Sequence, residues 1–382
     1  MSAYSGSLAR EFRAVFDDAR IKPPLDRAHG GDIDAAARLT GANADEIIDF
    51  SASINPLGPP SSARKAFINS YKRVSCYPDP YGETLKQALA ERHGLQSAEM
   101  LVGNGSTQLI YLLCAALRPR RALIVGPAFS EYGNALTLAG ANTRLVSLDL
   151  DAGFRFSQRS LDAWQKDKDI LFLATPNSVT GQLIRRAEIE NIARLALIRK
   201  SVVVIDEAFM DFVEDQSVKM LVRRNPFLIV LRSLTKYYAL PGLRLGYLIG
   251  QARRIAQLAT YQEPWSVNGP ATDVALACLE DERFAAKTER WLQRERTFVF
   301  NRLRTLEGLQ PFASDVNFLL VKIAKPGIDA LELRSFLLGK KILIRACNTF
   351  RHLGGNYFRV AVRHRKDNCR LLAALREWTR LK

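Results

Sequence analysis

The sequence contains few residues of the kinds that bind metals or form disulfides. It has five cysteines and four histidines among 382 residues. The cysteines are odd in number, far apart and never in a CxxC spacing, and the histidines show no spacing typical of metal ligands. The sequence therefore predicts neither a disulfide framework nor a metal site. The cysteines are Cys76, Cys114, Cys278, Cys347 and Cys369.

Long apolar segments are also missing. No run approaches the roughly 18 apolar residues of a membrane-spanning helix. The N-terminal stretch MSAYSGSLAREFRAVFDDAR has no apolar core of a secretion signal. With 47% hydrophobic and 25% charged residues, the composition is that of an ordinary soluble globular protein. We expect a cytoplasmic protein that does not enter a membrane.

Acidic residues are too few to balance the basic ones. The chain has 39 acidic and 55 basic residues, for a net charge of +16. Such an excess can indicate a nucleic-acid partner. The basic residues nevertheless occur in small groups such as RPRR (118–121), with no recognition motif around them. Solvated helix faces explain most of the charge and an anionic small substrate part of the rest, so we expect no nucleic-acid partner.

Apolar runs indicate the fold class. Near-continuous apolar runs alternate with amphipathic segments between about residues 100 and 250, which is typical of a parallel sheet covered on both faces. After Pro264 long charged helices alternate with later strands. We expect an α/β protein with a large domain over residues 50–262, built on a mostly parallel central sheet. A smaller α+β domain would combine residues 1–49 with 263–382. The earlier runs are RALIVG (121–126), DILFLAT (169–175), SVVVIDEAF (201–209) and FLIVLRS (227–233), and the later ones DVNFLLVKI (315–323), KILIRAC (341–347) and YFRVAVR (357–363).

Polar residues follow several of these runs. GNGSTQLIYLLCAAL (103–117) is a glycine turn that enters a helix, where free backbone N–H groups suit a phosphate. Asp206 ends a buried run, and a carboxylate there needs a partner or a function. TPNSVTG (175–181) is a polar turn, and SLTKYYALPGLRLGY (233–247) places a lysine and an arginine among apolar residues. Taken singly, these are a capped helix or cations that extend over an apolar surface.

The strand-end segments become informative when they are taken together. The carboxyl ends of parallel strands meet at one edge of a sheet, so we expect the four segments to converge. An anion cradle, a polar turn, a buried acid and a lysine followed by an arginine are the parts of a pyridoxal phosphate site. There the lysine forms a Schiff base, the acid holds a proton on the pyridine nitrogen and the arginine neutralises the phosphate.

With these segments and several further motifs, the sequence resembles the fold type I pyridoxal phosphate enzymes of the class I/II aminotransferase superfamily. Within it, the chain resembles the L-threonine O-3-phosphate decarboxylases of cobalamin biosynthesis. The lysine segment is typical of the superfamily, and the remaining motifs point to the decarboxylase branch. Those motifs are HGGD (29–32), INPLGPP (54–60) and PWSVN (264–268).

The resemblance implies a cofactor site. Lys236 would bind the cofactor and transfer protons, and Asp206 would pair with the pyridinium nitrogen. Phe129 would stack on the ring. Tyr77 would reach the phosphate from a partner subunit, which implies a homodimer with shared active sites. The residues that would hold the phosphate within one subunit are Ser106, Thr107, Ser233 and Arg244.

The resemblance also implies a substrate site. Arg359 would bind the substrate carboxylate, and His29, Gly30 and Arg345 would receive the substrate and its phosphate. Arg345 and Arg359 lie in apolar runs, a costly place for a guanidinium group unless an anion pairs with it. An internal salt bridge to Asp or Glu is the alternative explanation for both arginines.

Three positions depart from the family pattern. Ser178 stands where the family has the asparagine that touches the cofactor and the substrate, and Ser53 replaces a second substrate-facing asparagine. Asp32 replaces the asparagine of HGGN. A serine is shorter and leaves space or room for a water. Phe209, where many aminotransferases carry tyrosine, agrees with the decarboxylase branch.

The resemblance predicts decarboxylation of L-threonine O-3-phosphate, or a close analogue such as serine phosphate, to an amino alcohol phosphate. The alternative is a histidinol phosphate type aminotransferase, which needs a keto acid acceptor. The two reactions differ in which bond at Cα stands perpendicular to the cofactor ring. A third hypothesis is a transcription regulator that uses this fold as a sensor. Such regulators carry a winged helix domain ahead of the fold, and the resemblance begins by His29, so we expect an enzyme.

Overall fold

The computed structural model describes residues 29–149, 153–156, 164 and 169–381. The predictions for residues 1–28 therefore lie outside the described residues. The strands are β1 Ile48–Asp49, β2 Met100–Asn104, β3 Arg121–Gly126, β4 Asn142–Ser147, β5 Ile170–Ala174, β6 Val202–Asp206, β7 Leu228–Ser233, β8 Leu245–Gly250, β9 Leu309–Pro311, β10 Phe318–Ile323, β11 Ile342–Leu343, β12 Arg345–Ala346 and β13 Tyr357–Ala361.

Seven strands form the larger sheet, in the order β2-β8-β7-β6-β5-β3-β4. Strand β8 is antiparallel to both neighbours, and the remaining pairs are parallel. Successive side chains enter cores on opposite faces, as the pleat requires: Val203 and Ile205 on one face, Val202 and Val204 on the other. Burial on both faces explains why these strands are near-continuous apolar runs. The mostly parallel central sheet is confirmed.

Helices cover both faces of the larger sheet, and others pack against the smaller sheet. They extend over Ile33–Thr40, Ser61–Ser70, Glu83–His93, Gly105–Leu117, Ser130–Leu138, Arg186–Arg199, Ala252–Ala259, Gly269–Leu279, Glu282–Arg304, Ala330–Leu338 and Arg365–Leu381. Within the described residues, none of the helices is long and apolar enough to cross a membrane.

The later strands form an antiparallel sheet in the order β12-β13-β10-β9, and β11 pairs in parallel with β1. The run at 341–347, predicted as one strand, is therefore two short strands in different sheets, because the chain changes its pairing partner at Ile344. The β1–β11 pair joins residues 48–49 to this later part. Val274 and Ala275 belong to a core of the larger sheet. The division of the chain at residues 262 and 263 stays a prediction.

Candidate active site

The segments expected to converge line one cavity of about 430 Å³. It opens where the parallel strands β6 and β7 end, so residues from distant parts of the chain meet there. All but one of the site residues predicted from the sequence lie in its wall. They are His29, Gly30, Ser53, Ser106, Thr107, Phe129, Ser178, Asp206, Ser233, Lys236, Arg244, Arg345 and Arg359.

Tyr77 is the predicted residue that this cavity does not include. Its side chain is 82% exposed, and its ring packs against that of Trp265 with centroids 4.9 Å apart. Its expected role belongs to a partner subunit, so that role stays a prediction.

Two glycines allow the close approach that builds the anion cradle. Gly105 has φ +79°, and a Cβ there would come within 2.5 Å of Nη2 of Arg244. A Cβ at Gly246 would come within 2.4 Å of the backbone nitrogen of Ser106. Strand β8 therefore passes directly beside the first turn of the helix at Gly105–Leu117, with the Arg244 guanidinium against it. Free N–H groups, a helix N-terminus and a cation at one place form a site for a phosphate.

Ser233 extends this polar wall. Its hydroxyl lies 2.8 Å from the hydroxyl of Thr235, which also lines the cavity. Sequence reasoning missed Thr235, although it lies between two residues that were predicted. The sequence signal for Thr235 is its position directly before Lys236 and two residues after Ser233.

Asp206 is the last residue of β6, and its side chain is buried. The Tyr132 hydroxyl donates a hydrogen bond to Oδ2, and the Ala208 N–H donates to Oδ1 at 2.8 Å. Burial raises the pKa of Asp206, while the hydrogen bonds from Tyr132 and Ala208 and the charge of Lys236 oppose that rise. The carboxylate is therefore held by two donors at the end of the strand.

Sequence reasoning missed Tyr132. It lies on the helix at Ser130–Leu138 with its ring stacked on Phe172 at 5.0 Å, so it resembles an ordinary core aromatic. One tyrosine in an apolar helix carries no sequence signal of a buried carboxylate partner. Only the tertiary contact between the helix and β6 identifies it.

Lys236 follows β7 and lies half-buried in the cavity wall. Burial, and then the positive charges of Arg359 and Arg244, lower the pKa of Lys236 to about 8, while Asp206 opposes the shift. The usual value is 10.5. A lysine with a lowered pKa is more readily a neutral nucleophile near neutral pH, which covalent attachment of a carbonyl cofactor requires.

Arg345 and Arg359 lie directly opposite each other on β12 and β13. Arg359 donates to the backbone carbonyl oxygen of Ser178 and, at 3.3 Å, to that of Ser51. Burial is the main reason that the pKa of Arg359 falls to about 10. Within the described residues no carboxylate lies at ion-pair distance from Arg359, so the alternative internal salt bridge is wrong for this arginine. Arg345 donates to the Thr349 hydroxyl at 2.9 Å.

The two serines that replace asparagines are buried in the cavity wall. In the part of the chain that the structure describes, neither the Ser53 hydroxyl nor the Ser178 hydroxyl has a hydrogen-bond partner. The same holds for Nε of Arg359. Buried polar atoms without partners cost free energy, and a bound ligand or water would satisfy them.

The other acidic residue of the strand-end segment, Glu207, has a structural partner. Its carboxylate lies 3.0 Å from Nη1 of Arg232, and both side chains are fully buried. The Ser217 hydroxyl and the Val218 N–H also donate to it, at 2.6 and 2.8 Å. The pair joins the ends of β6 and β7, because Glu207 directly follows Asp206 and Arg232 directly precedes Ser233.

Residues 45–375 match the aminotransferase class I and II family. The chain belongs to this family. It is 40% identical over 351 residues to the threonine-phosphate decarboxylase of Salmonella typhimurium, covering 91% of this chain and 96% of that one. It is 32% identical to histidinol-phosphate aminotransferase 2 of Archaeoglobus fulgidus, covering 87% and 93%. The crystal structure of L-threonine-O-3-phosphate decarboxylase from Porphyromonas gingivalis superposes with a TM-score of 0.77 at 26% identity, covering 87% and 99%.

The family identifies the cofactor as pyridoxal phosphate, and the cavity fits it. A helix N-terminus beside Arg244 suits the phosphate, Asp206 suits a protonated ring nitrogen, and Lys236 suits the aldehyde. The hydroxyl of Ser178, for which the described residues offer no hydrogen-bond partner, lies in the same wall. These are groups from separate segments, and the fold brings them to one place.

Proposed function

We propose that the protein decarboxylates L-threonine O-3-phosphate, or a close analogue such as serine phosphate, to an amino alcohol phosphate. The reaction would serve cobalamin biosynthesis in the cytoplasm. The carrying observation is the pair of arginines that face each other across β12 and β13 in the cavity that contains Lys236. Two separate cations suit a substrate with both a carboxylate and a phosphate. The identity of 40% with a threonine-phosphate decarboxylase, against 32% with the histidinol-phosphate enzyme, favours the same assignment.

In the proposed mechanism, the residues of the cavity orient the substrate and hold the protons that the reaction needs. When bound, pyridoxal phosphate withdraws electrons from the substrate Cα. Asp206 keeps a proton on the ring nitrogen, and Tyr132 keeps Asp206 ionised and in place. Arg359 binds the carboxylate and turns the bond that breaks toward the perpendicular. Lys236 holds the proton that Cα receives after carbon dioxide has left, which its pKa of about 8 permits near neutral pH.

The remaining predicted residues complete the proposed site. Phe129 lies in the wall where it can cover one face of the ring, and its own ring packs edge-on against Tyr132 with centroids 5.9 Å apart. Arg345, His29 and Gly30 receive the substrate phosphate. Ser53 and Ser178 offer buried hydroxyls to the substrate or to the cofactor. The phosphate of the cofactor binds to Ser106, Thr107, Ser233 and Arg244.

We also propose that the active protein is a homodimer. Tyr77 and Trp265 pack on each other, yet their side chains are 82% and 47% exposed. Exposed aromatic residues outside their own cavity are suited to contact another subunit, and Tyr77 would complete the partner's phosphate site. Sedimentation of the active protein as a monomer would remove Tyr77 from the site.

The deciding experiment offers the enzyme threonine phosphate, serine phosphate and histidinol phosphate, each with and without 2-oxoglutarate. Decarboxylation needs no acceptor and releases carbon dioxide, whereas transamination needs the acceptor and yields glutamate. We expect carbon dioxide from an amino acid phosphate without the acceptor. Glutamate from histidinol phosphate, with no carbon dioxide from either amino acid phosphate, would establish the aminotransferase instead.

Variants of one arginine sharpen this experiment. Arg345→Ala should discriminate less between phosphorylated and free amino acids, because the lost contact is to the phosphate. A charge-assisted hydrogen bond contributes about 1.5 to 3 kcal/mol, which corresponds to about 10- to 100-fold in discrimination. Arg351→Ala is the matched control, since Arg351 is exposed and absent from the cavity wall.

A further inference from the structure

A second carboxylate lines the cavity, and the proposed mechanism does not use it. Glu131 lies on the helix at Ser130–Leu138, and the residue is only 7% exposed. Its Oε2 accepts a hydrogen bond from the Tyr111 hydroxyl at 2.6 Å, and its Oε1 accepts one from Nδ2 of Asn134 at 3.0 Å. A buried carboxylate in a cavity for an anionic ligand is unfavourable unless a cation compensates it.

His29 lies against this carboxylate. Its Nε2 lies 3.1 Å from Oε1 of Glu131, and its ring lies 5.8 Å from that of Phe129. Within the described residues Glu131 is the partner that the structure gives to this imidazole. Nε2 is thus engaged, and Nδ1 is the nitrogen left for a ligand in the cavity. The His29 side chain is 46% exposed, so a ligand can reach it.

The geometry of this pair fixes the ring of His29 on the cavity wall. The carboxylate attracts the proton of Nε2 and thereby sets which ring nitrogen faces the ligand. An imidazole between a carboxylate and a phosphate has an acceptor beside each ring nitrogen, so it binds both through an N–H on each nitrogen. Without Glu131, the half-exposed ring would lose this orientation.

We propose that Glu131 is a positioning residue, which holds His29 for the phosphate of the ligand and so makes the site select phosphorylated over unphosphorylated amino acids. The inference rests on the proposed function in one respect, namely that the ligand is an amino acid phosphate. The alternative is that Glu131 only stabilises the fold, through its hydrogen bonds with Tyr111 and Asn134. The two explanations differ in what they predict for ligand preference.

Ligand binding to the holoenzyme distinguishes the positioning role of Glu131 from a packing role, and it does so without measuring the reaction. 3-Phosphoglycerate has the skeleton of serine phosphate with a hydroxyl in place of the amine, and glycerate is the same molecule without the phosphate. Calorimetry with both compounds gives the preference for the phosphate. The variants are Glu131→Gln, Glu131→Asp, His29→Gln and the Glu131→Gln/His29→Gln double variant. Glu188→Gln is the control, because Glu188 pairs with Arg185 away from this cavity.

We expect the wild type and the Glu188→Gln variant to prefer 3-phosphoglycerate. Glu131→Gln keeps the shape of the side chain and an acceptor for Tyr111, but should reduce this preference about 10- to 100-fold, the value of one charge-assisted hydrogen bond. Affinity for glycerate should stay the same. Glu131→Asp should restore part of the preference. The double variant should lose no more than either single variant, because residues that act as one unit are not additive.

Three results would overturn the inference. They are a wild type without preference for the phosphate, a Glu131→Gln variant that keeps the preference within about twofold, and an equal loss of affinity for both compounds. Release of carbon dioxide from threonine phosphate and from serine phosphate, measured in parallel, tests the proposed function separately. If the wild type releases none while its preference depends on Glu131, the proposed function is wrong and the inference holds. If it releases carbon dioxide while Glu131→Gln keeps the preference, only the inference fails.

Discussion

The hydroxyl of Tyr132 is a single group whose removal tests the proposed role of Asp206. Tyr132→Phe keeps the ring, with its stacking on Phe172 at 5.0 Å and its edge contact with Phe129. Asp206 keeps the N–H of Ala208 at 2.8 Å and loses only the phenol. Burial raises the pKa of Tyr132 well above its usual value, so the phenol remains a donor at any pH at which the enzyme is assayed.

The size of the effect follows from the bond that is lost. A hydrogen bond to a charged group contributes about 1.5 to 3 kcal/mol, which corresponds to about 10- to 100-fold in an equilibrium constant. Burial raises the pKa of Asp206, whereas the bond from Tyr132 lowers it. Loss of that bond should therefore raise the pKa further. Activity that needs ionised Asp206 is lost as the pH falls, so the acidic limb of kcat should move to higher pH, and on that limb the variant should be about 10- to 100-fold less active than the wild type.

The assay is the release of carbon dioxide from threonine phosphate across the pH range, together with the absorbance of the bound cofactor. The variant and the wild type should converge at high pH, where Asp206 is ionised in both. Tyr247→Phe is the matched control, because Tyr247 is equally buried and its hydroxyl lies 2.7 Å from Nε2 of His93, outside the cavity. An acidic limb that stays in place in Tyr132→Phe, or that moves as far in Tyr247→Phe, would refute the reasoning.

Two further predictions concern charged groups. Because the pKa of Lys236 is lowered to about 8, its neutral amine becomes more abundant as the pH rises toward that value. The rate at which apoenzyme regains the absorbance of bound cofactor should therefore increase with pH up to about 8 and stay constant above it. A rate that does not change between pH 6 and 8 would contradict this. Arg232→Met should lower the free energy of unfolding by about 3 to 5 kcal/mol, because it leaves the fully buried Glu207 without its cation. Thermal unfolding of the Arg232→Met holoenzyme measures this effect. Arg185→Met, which breaks a surface pair, is the control, and equal unfolding midpoints for the two variants would count against the prediction.

Much of the site could be predicted because its residues lie at the ends of recognisable strands. A strand buried on both faces is a near-continuous apolar run such as VVVID at β6, and its short length and β-branched residues favour a strand over a buried helix. Once the runs are assigned to one parallel sheet, the topology itself requires that their carboxyl ends meet. Assignment of these runs to one parallel sheet therefore places Asp206, Ser233 and Lys236 close together, and it requires no information about contacts between their side chains.

Other residues could not be predicted, because their role depends on a contact that no local pattern encodes. Glu131 and Tyr132 lie one after the other on a helix, and each contacts a different residue of the cavity wall, His29 and Asp206. Arg232 lies in a run of apolar residues, so the sequence indicates that burying its charge costs free energy but does not identify Glu207 as its partner. The run at 341–347 has the pattern of one strand, because apolar content does not reveal a change of pairing partner. In each case the tertiary structure supplies information that the sequence pattern lacks.

Arg359 connects three separate segments of the chain at the cavity. The arginine belongs to the antiparallel sheet, yet its guanidinium donates to the carbonyl oxygens of Ser178, which follows β5, and Ser51, which follows β1. Both terminal nitrogens are thus held by backbone atoms of separate segments, and Phe318 lies under the group at 4.8 Å. In the role proposed for Arg359, these contacts fix the direction of the guanidinium, and the carboxylate of the ligand aligns with it. For a reaction in which the perpendicular bond is the one that breaks, a planar guanidinium held at both terminal nitrogens would control the orientation better than the single flexible ammonium of a lysine.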